Sequence, residues 1–173
     1  MSIHDKDIIQ SIDKNIIGTA NITKICSELG IKLIYVSTCY VYPGTKGNYN
    51  ENSPVLPINN YAWSKLGGES SVKLYKNSLI LRASITEKPF VHKEAFHDFK
   101  TNFIFHEDLI RGIMKVLKFK GTLNVGGKSQ SVYNFVKKYN PKIKKISAKK
   151  IFGENAKFNV TMDIGKFKKL IND

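Results

Sequence analysis

Lys32-Leu33-Ile34-Tyr35-Val36-Ser37-Thr38 is an almost unbroken apolar run of strand length, and its neighbours decide how it is used. A strand with so little alternation is one buried on both faces, as in a parallel sheet covered by helices. Before it, residues 5–29 read as a helix with a wide apolar stripe of Ile8, Ile9, Ile12, Ile16, Ile17, Ala20, Ile25 and Leu29, and Gly30 in the position that ends it. After it, residues 61–76 read as a second helix and Ser78-Leu-Ile-Leu-Arg-Ala-Ser84 as a second buried strand. Helix, strand, helix, strand is the second half of a doubly wound α/β sheet. Open sheets of this kind keep their chemistry in the loops after the carboxyl ends of their strands, where Ser37, Thr38 and Cys39 stand.

The second helix opens with Tyr61-Ala-Trp-Ser-Lys65. Side chains four apart share a face, so an ammonium is expected near a phenol, lowering its pKa from about 10 toward working pH. A tyrosine so tuned serves as a general acid or base, and the Thr38 hydroxyl can complete the set. A Tyr and a Lys at this spacing also occur by chance in many helices, so the surroundings decide. Asn59 or Asn60 can cap this helix, and the long connection Tyr40–Pro57, rich in Gly, Pro and Asn, is of a length that usually carries function. Gly18, inside the first helix, suggests close packing against another backbone. Arg82 is costly to bury unpaired and should meet a carboxylate or a phosphate.

Beyond residue 89 the pattern loosens. His92 and His97 fall in a loop or exposed helix, far from other metal-ligand types. Asn102–His106 reads as a short strand, Asp108 as the start of an amphipathic helix, Gly121–Gly127 as a strand ending in a glycine turn, and Ser131 as the start of a helix closed by Asn140-Pro141. Lys142–Lys150 is basic and weakly patterned, and residues 163–171 make a last short helix. This divides the chain into residues 1–88, carrying the Tyr–Lys motif, and 89–173, a small α+β region with a basic tail.

The net charge is +14, yet only Arg82 and Arg111 are arginines, and the segment from Lys115 to Asp173 holds 15 Lys against three acidic residues. A lysine excess of this kind fits a solvated basic face better than specific nucleic-acid reading, which relies on arginine. Cys26 and Cys39 lie outside any metal-binding spacing and read as small buried residues in a reducing compartment. The polar start has no signal-peptide character and no apolar run is long enough to span a bilayer, so the expectation is an intracellular soluble protein without membrane contact.

Asn15-x-x-Gly18-Thr19, Val36-Ser37-Thr38-x-x-Val41-Tyr42, Pro57-x-Asn59-x-Tyr61-x-x-x-Lys65-x-x-x-Glu69 and Leu79-Ile-Leu-Arg82 together resemble, in order and spacing, the extended short-chain dehydrogenase/reductase family. Phe103-x-x-x-Glu107-Asp108-Leu109 and Leu123-Asn-Val-Gly-Gly127 look like its nucleotide-sugar branch, with the greatest likeness to dTDP-4-dehydrorhamnose reductases and rhamnose epimerase/reductases. The resemblance implies a partial Rossmann-type fold and reduction of the 4-keto group of a 4-keto-6-deoxy nucleotide sugar by NADP- or NAD-borne hydride. It implies that Tyr61 gives the proton, that Lys65 lowers the Tyr61 pKa and holds the nicotinamide ribose, that Thr38 polarises the carbonyl, and that Asn15 supports the cofactor side. Cys39 takes a place where the reductase branch often has aspartate, and Thr38, Cys39 and Arg82 are the expected substrate contacts.

The departure is at the beginning. No G-x-x-G-x-x-G or G-x-G-x-x-G lies near a first strand, although in a Rossmann-type domain that motif holds the cofactor pyrophosphate. On the family pattern, roughly 80 to 90 residues of cofactor-binding half are lacking. The chain is then either the catalytic part of a reductase whose cofactor half lies elsewhere, or an inactive relative that binds nucleotide sugars or serves as an interaction module. Either way, helices that expect further strands should expose apolar surface and favour a second copy or a complementing N-terminal half.

Overall fold

A computed structural model describes residues 7–172. Met1–Lys6, which include the polar start and the first two positions of the expected helix, and Asp173 lie outside the described residues. The first helix opens as α1 (Ile8–Ile12), capped by Asp7, whose Oδ1 accepts from the Gln10 N–H at 2.8 Å. It widens into a π-helical turn, Asp13–Ile17, and continues as α2 (Gly18–Glu28). Gly30, at φ 67°, ends it as expected, and the Ile31 N–H reaches back to the Cys26 carbonyl at 2.9 Å.

β1 (Leu33–Thr38) follows, then the long connection, α3 (Asn60–Val72) and β2 (Ser78–Ala83). After the short strands β3 (Ile85–Thr86), β4 (Glu94–Phe96), β5 (Lys100–Thr101) and β6 (Ile104–Phe105), α4 (His106–Val116) leads to β7 (Gly121–Val125). β8 (Gln130–Ser131), α5 (Val132–Val136), β9 (Lys144–Ile146), α6 (Ala148–Phe152) and α7 (Gly165–Asn172) complete the chain. The main sheet is parallel in the order β1-β2-β7, with Leu33 opposite Ser78 and Leu79 opposite Gly121.

Strand alternation sorts the core into two layers. Leu79, Leu81 and Ala83, with Leu123 and Val125, pack on Leu109 and Val116 of α4 and Phe167 of α7. Ile80 points the other way, to Tyr35 and to Val72 of α3. Burying each such side chain stabilises the fold by about 1.5–3 kcal/mol before chain entropy is charged against it. Helices on both faces of a parallel sheet are the doubly wound arrangement expected from the helix–strand alternation.

Four details differ from the sequence reading. Gly18 meets only the carbonyl of Asp13 in its own helix, whereas the close approach is at Gly68 of α3, where a Cβ would strike the Asn15 carbonyl and the Tyr35 hydroxyl. α4 starts at His106 rather than Asp108, because the extended backbone of Phe105 rather than a polar side chain precedes its first turn. Lys142–Lys150 contains β9 and most of α6; a three-residue strand is too short to show a period, and β9 is held by pairing with β4. The division at residue 88 is crossed, since β7, α4 and α7 return to the main sheet.

The outward face of α1, the π turn and α2 is apolar: Ile8, Ile9, Ile12, Ile17, Ile22 and Ile25 are between 41% and 74% exposed. Among the described residues, β1 is an outer strand of the sheet and no helix is long and apolar enough to cross a membrane.

Candidate active site

α3 begins where its sequence says it should. Asn59, in extended backbone, accepts from the Ala62 N–H at 2.8 Å, so Asn59 rather than Asn60 is the cap. Tyr61 therefore sits in the first turn, beyond the end of β1. Ser64 ties that turn down: its hydroxyl donates to the Tyr61 carbonyl at 2.8 Å and accepts from Asn15 Nδ2 at 2.9 Å. Asn15 reaches it from the π turn, a local widening that often marks functional sites because it redirects a side chain from regular helical spacing.

Thr38 closes β1 and starts a short 3-10 turn, Cys39–Val41, its Oγ1 accepting from the Tyr40 N–H at 3.2 Å. The neighbouring Ser37 is buried and its hydroxyl has no hydrogen-bond partner among the described residues.

Lys65 lies half-buried one turn beyond Tyr61. Its ammonium stands over the ring of Tyr35, 4.1 Å from the centroid. Burial pulls its pKa down to about 8, against the opposing pull of Glu69. The expected lowering of Tyr61 is not found: burial, and then the neighbouring Cys39, push that phenol up. Loss of solvation dominates, Lys65 is not among the groups that shift it, and Tyr61 is held protonated, as a proton donor must be.

Two of the expected substrate contacts, Arg82 and Cys39, lie buried inside the fold. Arg82 is only 1% exposed, and its Nε and Nη2 bond the Glu69 carboxylate, Nη2 at 2.7 Å. Its Nη1 donates to the Tyr42 hydroxyl at 3.0 Å, and that hydroxyl bonds Asn124 Oδ1 at 2.8 Å. The carboxylate anticipated as one partner for Arg82 is thus supplied from inside the fold. Cys39, 2% exposed, packs with Val41, Tyr42, Val160 and Met162, its sulfur 4.0 Å from Thr101 Oγ1. Burial raises its thiol to about 11, so it is a core residue and an unreactive one.

A feature the sequence did not disclose adjoins this end of the sheet. A cavity of about 1130 Å³ opens between the start of α3 and the β4–β9 pair, walled by Phe90, Phe96, Phe99 and Phe103 with Lys93 and Lys157. Thr38, Tyr61 and Lys65 do not line it; it borders them through Tyr40, two residues after Thr38, and Asn59, two before Tyr61. The clustering of phenylalanines between residues 90 and 103 was its available signal. His92 is also on this wall, and among the described residues no group of His, Cys, Asp or Glu could hold a metal ion.

Comparison with known proteins places this arrangement. The family model described as the RmlD substrate binding domain matches residues 6–103. Methionine adenosyltransferase 2 subunit beta from Xenopus laevis is 41% identical over 58 residues, 34% of this chain and 17% of its own. A probable low-salt glycan biosynthesis reductase from Haloferax volcanii is 41% identical over 71 residues, 39% of this chain and 24% of its own. The matches thus span about a fifth of these relatives' length. In three dimensions the chain is similar to the dTDP-4-dehydrorhamnose reductase of Bacillus anthracis, solved in complex with NADP, with a TM-score of 0.76 and 24% identity over 90% of this chain and 65% of that one. With the family match running from the first helix through β2 and into the cavity wall, the chain belongs to the RmlD substrate binding domain family of extended short-chain dehydrogenase/reductases.

Proposed function

We propose that this chain carries the proton-transfer and substrate side of an NAD(P)H-dependent reductase acting on the 4-keto group of a 4-keto-6-deoxy nucleotide sugar. The observation that carries the reading is the hydrogen-bonded chain Asn15–Ser64–Tyr61 in the helix turn beyond Thr38, with a half-buried lysine one turn on. In this reading Tyr61, kept protonated by burial, donates its proton to the oxygen that was the ketone. Thr38 donates a hydrogen bond to the same oxygen as negative charge grows there. Lys65, charged below about pH 8, offsets the charge left on Tyr61 and refills it with a proton.

A nicotinamide cofactor, when bound, supplies the hydride. A phenol and an ammonium one helical turn apart beyond a parallel strand end suit its ribose hydroxyls, so Tyr61 and Lys65 would hold that end. For its pyrophosphate these 173 residues offer no glycine-rich strand-turn-helix. The reading therefore includes a complementing half that brings that motif and covers the exposed isoleucine face. The phenylalanine-walled cavity would take the nucleotide, its bases stacking on rings and its phosphates meeting Lys93 and Lys157.

A second reading is favoured by that same exposed face. One relative is named as a subunit of another enzyme, and a chain that has β1 as an outer strand among the described residues, with a row of exposed isoleucines, could act as a subunit without turnover. The test mixes the chain with a glycine-rich complementing half, NADPH or NADH, and a dTDP- or UDP-linked 4-keto-6-deoxy sugar. The reductase reading expects loss of absorbance at 340 nm, abolished by Tyr61→Phe; complex formation without turnover would favour the subunit.

A further inference from the structure

We infer that Tyr35 is the positioning residue of Lys65, holding its ammonium on the ring face and its backbone carbonyl through the phenol, so that β1 sets where the charge on α3 stands. The inference rests on the reading of Lys65 as the cation of the site, and it concerns a residue outside the Tyr–Lys–Thr constellation. Tyr35 lies on β1 three residues before Thr38, with its side chain toward α3. Its hydroxyl donates to the Lys65 carbonyl at 3.1 Å while its ring receives the Lys65 ammonium, 4.1 Å from the centroid. One side chain thus grips both ends of one lysine.

The neighbouring sequence is shaped around this grip. A Cβ at Gly68 would collide with the Tyr35 hydroxyl, so the glycine one turn below Tyr61–Lys65 leaves the space the phenol occupies. A ring that only filled the core would be content with apolar neighbours. Here it faces a desolvated cation that, among the described residues, makes no hydrogen bond or ion pair. The face of an aromatic ring is negative and attracts a cation most strongly where water is excluded.

The charged and titratable groups around Lys65 allow the ring's part to be separated. On its own helix stand Glu69, already bonded to Arg82, and Tyr61; from β1 comes Tyr35 itself. The exposed Asp13 and Lys14 of the π turn are directed to solvent.

The test follows the Lys65 ammonium by nitrogen-detected NMR through a pH titration of the whole chain, its signal assigned by its loss in Lys65→Met. Tyr35→Phe keeps the ring and should leave the Lys65 midpoint within about 0.2 unit of wild type. Tyr35→Leu removes the ring and should lower the midpoint by about half a unit to one unit, the size expected of a desolvated cation–ring contact. Should the leucine variant fail to fold, pentafluorophenylalanine at position 35 keeps the shape and inverts the ring's polarity, with the same shift expected. An unmoved midpoint with leucine or the fluorinated ring in a folded chain overturns the inference, as does a shift with phenylalanine as large as that with leucine. Because the midpoint is read without turnover, the expected shifts in a chain that never reduces a ketone would keep Tyr35 in this role and defeat the reductase reading alone.

Discussion

Lys65 and Glu69 stand one turn apart on α3, and the fold treats them in opposite ways. Glu69 is fully buried with its carboxylate bonded to Arg82 by both Nε and Nη2, and Arg82 is in turn bonded to Tyr42 and so linked to Asn124. Lys65 is half-buried and rests its charge on a ring. A charge paired and hydrogen-bonded inside the fold is structural. A charge left short of bonds, on the same helix as a protonated phenol one turn earlier, retains the capacity to act on something else.

The comparison breaks first at Glu69. Glu69→Ala leaves a buried guanidinium uncompensated and should cost about 3–5 kcal/mol, measured as a lower urea midpoint. Lys65→Met, which keeps the length and removes the charge, should leave that midpoint nearly unchanged while removing turnover in the complemented enzyme. If both substitutions cost the same stability, the division between a structural and a chemical turn of α3 fails.

Smaller effects sharpen it. Asn59→Ala removes the cap on which the placement of Tyr61 depends and should cost about 1 kcal/mol by thermal unfolding. Asn15→Ala removes the bond to Ser64 and should lower turnover more than stability. The pH dependence follows from Lys65: with a pKa of about 8 it is charged below that value and neutral above it. Turnover should fall as pH rises through about 8, and Lys65→Arg, charged throughout, should not show that limb.

The sequence carried the parts of this account that depend on repetition or on a cap. Ile8–Leu29, Leu33–Thr38 and Ser78–Ala83 were legible as helix and buried strands because each repeats its pattern over a turn or more, and Gly30 and Asn59 acted as their residue types require. The placement of Asn15 over Ser64 was not legible, because the π turn shifts the register by local hydrogen bonding that no spacing announces. Nor was the fate of Arg82. A buried arginine needs an anion, but only the fold brings Glu69, 13 residues earlier, against it. The spacing led to the expectation that Lys65 lowers the Tyr61 pKa, whereas burial of the phenol, a tertiary effect, raises it. The cavity escaped because its phenylalanines come from irregular segments with no period to follow.

The central claim is that the first turns of α3 are built for proton transfer to a ketone. It is tested most directly by following NADPH or NADH oxidation with a 4-keto-6-deoxy nucleotide sugar, using the chain and its glycine-rich complement, wild type beside Tyr61→Phe. The account predicts turnover by the wild type and a loss of at least about 100-fold in the variant, the usual worth of a general acid. Equal rates in the two would contradict it.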